Sequence, residues 1–121
     1  MEREDVKKIE RIISDRERAH ETLIAKNCES YRAFLEMERV TYSHGSLSKQ
    51  CKELIATGIS VVINCESCLQ WHIREALDSG ATEEQILEAI GVGMEMGGGP
   101  ATVASRFALK VLEYYRRERN R

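Results

Sequence analysis

The chain has little proline, few aromatic residues and no excess of basic side chains. One proline occurs in 121 residues, aromatic residues make up 6%, and 18 Lys and Arg stand against 20 Asp and Glu, which gives a formal net charge of -2. Without a basic excess, bulk nucleic-acid binding and polybasic attachment to anionic lipid are disfavoured. We therefore expect neither a nucleic-acid partner nor a membrane partner.

Long apolar runs are also missing. No stretch reaches the roughly 20 residues that a membrane span needs, and the charged start MEREDVKKIER lacks the apolar core of a secretion signal. We expect a soluble, cytoplasmic protein. Its four cysteines then suggest free thiols, a metal site or redox chemistry before a disulfide framework.

Apolar residues at helical spacing predict an all-α chain of five to six helices in a single domain. The run ISVVI at 59–63 could be a strand by itself, but no alternating partner strand occurs elsewhere, so we predict a buried helix there. The predicted helices cover about 4–26, 29–42, from Ser46 or Ser48 to 63, 65–79, 82–96, and from Pro100 to the charged tail.

Polar residues and glycines mark the predicted helix ends. Asn64 suits the N-cap of the fourth helix, and Gly80 suits the position after its last residue. Thr82 and Gln85 fit a capping box. Pro100 fits the first position of the last helix, after a break at 97–99.

The helix faces carry more apolar surface than a lone domain of this size is expected to cover. The small-residue run GVGMEMGGGPA at 91–101 permits close backbone approach. These features predict a homo-oligomer, with tight internal packing of the small-residue run as the alternative.

The stretch NCESCLQWH at 64–72 carries the candidate chemistry. Cys65, Cys68 and His72 lie at i, i+3 and i+7 of one helix, so they project from the same side. Lowering a thiol pKa by about two units requires roughly 2.7 kcal/mol, whereas a helix N-terminus supplies about 0.3 to 1 and at most about 2 kcal/mol. A neighbour such as His72 must supply the rest.

Two kinds of site fit these residues. Cysteines at i and i+3 of a regular helix have Cβ atoms about 5 to 6 Å apart, and a disulfide wants about 3.8 Å. Closing Cys65 to Cys68 is therefore expected to distort the first turn, which suits a reversible catalytic disulfide. Alternatively, Cys65, Cys68 and His72 could bind zinc with Glu53 or water, but no second CxxC or HxxxH completes such a site. We predict no metal and no cofactor.

The other chemistry-bearing side chains have simpler interpretations. We expect Cys28 and Cys51 to be packing residues, and we expect Trp71 to belong to the core or an interface. Solvated helix charges or isolated side chains are predicted at Arg74, Glu75, His20 and His44.

The span from about 47 to 115 resembles the carboxymuconolactone decarboxylase superfamily, in its alkylhydroperoxidase D-like branch. Glu53 is followed twelve positions later by the motif CESC, then by His72 and Ala76, with GATEEQI at 80–86 and MGGGP at 96–100 behind. The combination of glutamate, CxxC and histidine at these spacings is much more specific than CxxC alone.

The resemblance implies a helical fold that assembles into multimers, often hexamers, with thiol-dependent peroxidase or disulfide reductase activity. It implies that Cys68 is the peroxidatic cysteine, that Cys65 resolves it, and that Glu53 and His72 form a proton relay. The residues alone favour Cys65 as the more exposed thiol, although His72 at i+4 from Cys68 agrees with the family roles. Ser67 stands where the best-known peroxidases can carry a second histidine.

We therefore expect N-terminal helices at 1–45 and a core of this family at 46–121, within one structural domain. The expected function is a thiol-dependent peroxidase with a hydroperoxide substrate, an external dithiol or protein reductant, and a trimeric or hexameric assembly. The alternatives are a protein disulfide reductase or electron-passing adaptor, and a metal-binding oligomer without redox activity.

Overall fold

A computed structural model describes residues 1–120, and in that range it contains six α-helices and no strand. The predicted all-α fold is confirmed, and the predicted helix ends agree to within about three residues. Arg121, the last residue of the predicted core, lies outside the described residues. The helices are α1 (Arg3–Ala25), α2 (Glu29–Tyr42), α3 (Lys49–Val62), α4 (Glu66–Asp78), α5 (Glu83–Gly97) and α6 (Gly99–Arg119).

Helices α3 and α4, joined by a tight turn, form the centre of the bundle. Helix α5 packs on α3, α6 packs on α4 and α5, and α1 lies outside against α4 and α6. Apolar side chains from α4, α5 and α6 fill the space between them and are fully or almost fully buried: Leu69, Ile73, Ile86, Ile90 and Val111. Helix α1 adds one buried residue, Ile9, and α2 adds none.

Helices α3 and α5 approach each other closely at two glycines. A Cβ atom on Gly93 would lie 2.6 Å from the carbonyl oxygen of Gly58, and one on Gly58 would lie 3.0 Å from the carbonyl oxygen of Ala89. The first distance is too short for any Cβ atom, so the contact requires glycine at 93, and the second leaves a Cβ atom at 58 only a tight fit. This part of the small-residue run therefore serves internal packing.

Some of the helix ends follow local sequence signals. Ser48 caps α3 by accepting a hydrogen bond from the amide of Cys51 (3.1 Å), and Thr82 and Gln85 form the predicted capping box. The predicted cap at Asn64 is wrong. Asn64 adopts a left-handed φ of 52°, which moves the cap one residue onward to Cys65. Pro100 occupies the second position of α6, because the helix already begins at Gly99.

The ISVVI run is helical up to Val62, with Ile63 as the cap that follows, but the prediction that the run is buried is wrong in part. Ser60 and Val61 face the core, whereas Ile59, Val62 and Ile63 are 54%, 43% and 61% exposed. A five-residue apolar run extends around more than one full turn of helix, so packing on one side cannot cover it. Within residues 1–120, no helix has the length and apolarity that crossing a membrane requires.

Candidate active site

Cys65 and Cys68 form a disulfide at the start of α4. Cys65 lies just before the helix with extended backbone angles (φ -105°, ψ 100°), and its Sγ accepts a hydrogen bond from the amide of Cys68 (3.2 Å). The two Cα atoms are 5.2 Å apart, inside the ordinary disulfide range of about 4.4 to 6.8 Å. The predicted distortion of the first turn is therefore wrong, because Cys65 does not belong to the helix.

Glu53 and His72 form a hydrogen-bonded pair between α3 and α4. Glu53 is 1% exposed, and its Oε1 lies 2.7 Å from Nδ1 of His72. A carboxylate accepts and does not donate, so with Glu53 in its carboxylate form Nδ1 donates this hydrogen bond and Nε2 is left for another partner. His72 stands one helical turn after Cys68, and the ring of Tyr42 packs 5.3 Å from its own.

Lys49 joins this pair from the first turn of α3. Its Nζ lies 3.1 Å from Oε2 of Glu53, 3.0 Å from Oε1 of Glu75 and 3.4 Å from Oγ of Ser79. Burial alone would lower the pKa of Lys49, but hydrogen bonds with Glu75 and Glu53 outweigh it and raise that pKa. The prediction that Glu75 is a solvated charge is wrong, because Lys49 binds it beside the site.

Arg16 reaches the other side of the cysteine motif from α1. Its Nη2 donates to the carbonyl oxygen and to Oγ of Ser67 (2.8 and 2.7 Å), and its Nη1 donates to Oε1 of the buried Gln70. Burial, followed by repulsion from Arg74, lowers the pKa of Arg16. Sequence reasoning missed Arg16, because this contact spans more than fifty residues and leaves no local signal.

Trp71 lies between two guanidinium groups rather than in the core. The Cζ atoms of Arg16 and Arg74 are 5.2 and 4.5 Å from the centroid of its ring, within the range of cation–π contact. Arg74 is only partly exposed, so the prediction of a solvated charge is wrong. The packing role predicted for Cys51 is also wrong, since Cys51 is exposed, whereas Cys28 is partly buried.

A cavity of about 620 Å³ opens beside Cys68, between α1, α2 and the start of α4. Ser67, Cys68, Trp71 and His72 form its α4 wall, and among the described residues that line it Cys65 is absent. His20, predicted to be isolated, also lines it and holds the hydroxyl of Tyr31 at 2.6 Å through Nδ1. A small molecule in this cavity would meet Cys68 and the imidazole of His72 together.

The disulfide engages both sulfur atoms of the suggested zinc site. In residues 1–120, no group of three or more His, Cys, Asp or Glu side chains is arranged to hold a metal ion. Zinc binding through Cys65, Cys68 and His72 would therefore require the reduced dithiol.

Residues 29–111 match the model of the carboxymuconolactone decarboxylase family. A relative named uncharacterized protein 4 in cox locus, from Paracoccus denitrificans, is 42% identical over 81 residues, which is 67% of this chain and 73% of that protein. An uncharacterized protein of Cupriavidus necator is 37% identical over 83 residues, 69% of this chain and 71% of the relative.

Solved structures of similar proteins extend the likeness to the fold. A carboxymuconolactone decarboxylase family protein from Legionella pneumophila, in its apo form, superposes with a TM-score of 0.84 at 29% identity, covering 89% of this chain and 96% of its own. Another, from Thermotoga maritima, has a TM-score of 0.72 at 27% identity and covers 75% and 94%. A role in antioxidative response has been suggested for the Thermotoga protein.

Proposed function

Because the chain belongs to the carboxymuconolactone decarboxylase family, we propose that it is a thiol-dependent peroxidase of the alkylhydroperoxidase D-like branch. It would reduce hydroperoxides through a dithiol–disulfide cycle at Cys65 and Cys68. One observation carries the proposal: Cys68 shares the wall of a substrate-sized cavity with His72, and Cys65 does not. The antioxidative role suggested for the Thermotoga relative agrees with it.

The cycle begins with the reduced protein. The Cys68 thiolate attacks the terminal oxygen of the hydroperoxide, so that an S–O bond forms, the O–O bond breaks and the alkoxide leaves. The alkoxide takes a proton and departs as the alcohol. Cys65 then attacks the sulfur of the Cys68 sulfenic acid, which forms the disulfide and releases water. An external dithiol reduces the disulfide and restores both thiols.

His72 and Glu53 supply the proton transfers in this scheme. The free Nε2 of His72 takes the proton of the Cys68 thiol and returns it to the leaving alkoxide. Glu53, bound to Nδ1 at 2.7 Å, fixes the tautomer and stabilises the imidazolium. Lys49 binds Oε2 of the same carboxylate and so holds Glu53 in place beside His72. Proton transfer of this kind typically contributes about 10² to 10⁴ in rate.

A second function, reduction of a partner protein's disulfide, is favoured by a different observation. The Sγ of Cys65 accepts the amide of Cys68 at the start of α4, an arrangement that would stabilise a thiolate on Cys65. In that function Cys65 would attack the partner's disulfide and Cys68 would resolve the mixed disulfide.

The active protein is proposed to be a homo-oligomer, a trimer or a hexamer. Exposed apolar side chains on α3 and α5 support this, because such surface is costly in water. They are Ile55, Ile59 and Val62 on α3, Ile63 just after it, and Leu87, Val92 and Met96 on α5. Sedimentation should give an assembly for the wild type and a monomer for the double variant Ile59→Glu, Met96→Glu. A wild-type monomer at micromolar concentration would contradict the assembly.

A single turnover tests the peroxidase. The protein is reduced, one equivalent of cumene hydroperoxide is added, and mass spectrometry follows the thiols with time. We expect a rapid loss of two hydrogens confined to the peptide that holds Cys65 and Cys68. Unchanged thiols would discard the peroxidase and favour disulfide exchange or a metal site.

Three cysteine variants separate the roles. Cys68→Ser should abolish peroxide consumption, and Cys65→Ser should trap a sulfenic acid at Cys68. Cys51→Ser is the matched control, because Cys51 is an exposed thiol outside the site and should leave the turnover intact. Full activity in Cys68→Ser would reverse the assignment of the two cysteines.

A further inference from the structure

The cavity beside Cys68 has an apolar wall on the side opposite the cysteine. Tyr31, Phe34 and Leu35 of α2 line it together with Trp71 of α4. A volume of about 620 Å³ far exceeds what hydrogen peroxide needs, and it falls in the range of sites that enclose drug-sized ligands. The cavity therefore suits a hydroperoxide with a sizeable apolar group.

Carboxylates dominate the charge of the same cavity. Glu17 and Glu21 of α1 and Glu38 of α2 line it, against the single guanidinium of Arg16. Arg16 already donates to Ser67 and Gln70. None of the three glutamates belongs to an ion pair in the described part of the chain. Arg16 also interacts electrostatically with Glu17 and Glu38, but one guanidinium does not balance three carboxylates. An anionic substrate would thus meet a net negative charge.

We infer that the cavity selects uncharged hydroperoxides with an aromatic or branched apolar group and rejects hydroperoxides that carry a carboxylate. The inference rests on the proposed peroxidase for the reaction, but the selection itself is a property of binding. Rejection arises because a substrate carboxylate is repelled by the glutamates. The free-energy cost of this repulsion exceeds the gain from apolar contacts with the cavity wall.

The residues that would select the substrate and the residues that would carry out the reaction lie at different positions in the sequence. Glu17 and Glu21 precede residue 29, where the match to the family model begins, whereas Cys65, Cys68 and His72 lie inside the match. Helix α1 packs against α4 from outside the bundle. Glu38 of α2 lies inside the match, but like Glu17 and Glu21 it forms no hydrogen bond or ion pair with the cysteines, His72 or Glu53 in the described part of the chain.

A matched pair of substrates tests the selection. Cumene hydroperoxide and its para-carboxylate share the reacting group and the ring, and the second adds a charged carboxylate to the ring. Single-turnover oxidation of the dithiol should be at least about tenfold slower with the carboxylate, a difference of about 1.4 kcal/mol. The gap should shrink at about 0.5 M salt, because salt screens exposed charges. Equal rates at low salt would overturn the inference.

Charge variants locate the selection. The triple variant Glu17→Gln, Glu21→Gln, Glu38→Gln should accept the two hydroperoxides at rates within about threefold of each other, since the repulsion is gone. The matched control removes the same charge from exposed positions on α5, away from the cavity: Glu83→Gln, Glu84→Gln and Glu88→Gln. This control should discriminate as the wild type does. Equal loss of discrimination in both variants would overturn the assignment to the cavity.

A binding measurement separates this inference from the proposed function. Trp71 is the chain's one tryptophan and lines the cavity, so its fluorescence reports occupancy. Titration with 2-phenyl-2-propanol and with its para-carboxylate should give at least tenfold tighter binding of the neutral alcohol. If no hydroperoxide oxidises the dithiol but this preference holds, the peroxidase fails while the charge selection stands. Equal affinities would overturn the selection even in an active peroxidase.

Discussion

Two regions border Cys68, and they differ in how deeply they are buried. One is the Glu53–His72 pair, and the other is the cavity wall formed by α1 and α2. Glu53 and His72 bridge α3 and α4 at the centre of the bundle, and Glu53 is fully buried. The opposite wall comes from α1 and α2, which together bury one residue, Ile9.

The difference separates two requirements of a catalytic site. Proton transfer needs atoms held within tenths of an ångström, and only packed helices provide that precision. A wall that contacts the substrate can tolerate variation, and surface helices tolerate changes in sequence most easily. The relay thus belongs to the core, and selection belongs to the outer helices.

The largest effect is expected on the core side, for Glu53→Gln. The amide cannot stabilise an imidazolium as a carboxylate does, so the single-turnover rate should fall by about 10² to 10³. Glu75→Gln is the matched control, because Glu75 also binds Lys49 but does not touch His72; it should lose less than about tenfold. A rate for Glu53→Gln within threefold of the wild type would show that proton transfer does not need the Glu53 carboxylate.

Gly93→Ala tests whether the packing of α3 on α5 supports the site. Its Cβ would meet the carbonyl oxygen of Gly58 at 2.6 Å, so the helices must separate, at a cost of about 3 kcal/mol. Gly91→Ala is matched in sequence and meets nothing within 4 Å; it should raise stability by up to about 1 kcal/mol. Urea unfolding measures both, and a neutral Gly93→Ala would show that the contact is not required.

Arg16→Gln tests the outer side. The change removes charged donors from Ser67 and from the buried Gln70, which should lower the free energy of unfolding by about 2 kcal/mol. The control Arg18→Gln breaks an exposed pair with Asp15 and should cost at most about 0.5 kcal/mol. Similar losses of unfolding free energy in the two variants would show that Arg16 does not hold α1 on the bundle.

The smallest effect concerns Tyr114, whose hydroxyl donates to Glu10 of α1 at 3.1 Å. At neutral pH, Tyr114→Phe should cost about 0.5 to 1.5 kcal/mol. Burial, with the hydrogen bond to Glu10, raises the pKa of Tyr114 to about 12, above the usual value of about 10. The neutral Tyr114 hydroxyl therefore contributes its full stabilisation of the folded protein below pH 10. This contribution is lost as the pH rises towards 12.

Unfolding measured from pH 9 to 12 checks the sign of this contribution. The variant's deficit should narrow as pH rises, because only the wild type loses the contribution of Tyr114. If the difference in unfolding free energy between Tyr114→Phe and the wild type stays constant over this range, the neutral Tyr114 hydroxyl does not stabilise the packing of α1.

Local sequence determined the helices, most of their caps and the placement of two cysteines and a histidine together. Apolar spacing and signals such as Ser48 or Thr82 act within one or two turns, so a single sequence contains them. The pairing of Glu53 with His72 was expected from family resemblance, and Lys49 at i-4 from Glu53 was a local signal that went unused.

Tertiary structure decided what surrounds Cys68 from outside α4. The contacts of Arg16 with Ser67 and Gln70, and the acidic cavity between α1 and α2, join residues that are far apart in sequence. Such contacts depend on how helices cross and rotate against each other, which helical periodicity does not specify. Even the position of Cys65 outside α4 followed from the left-handed turn at Asn64 rather than from its preference as a cap.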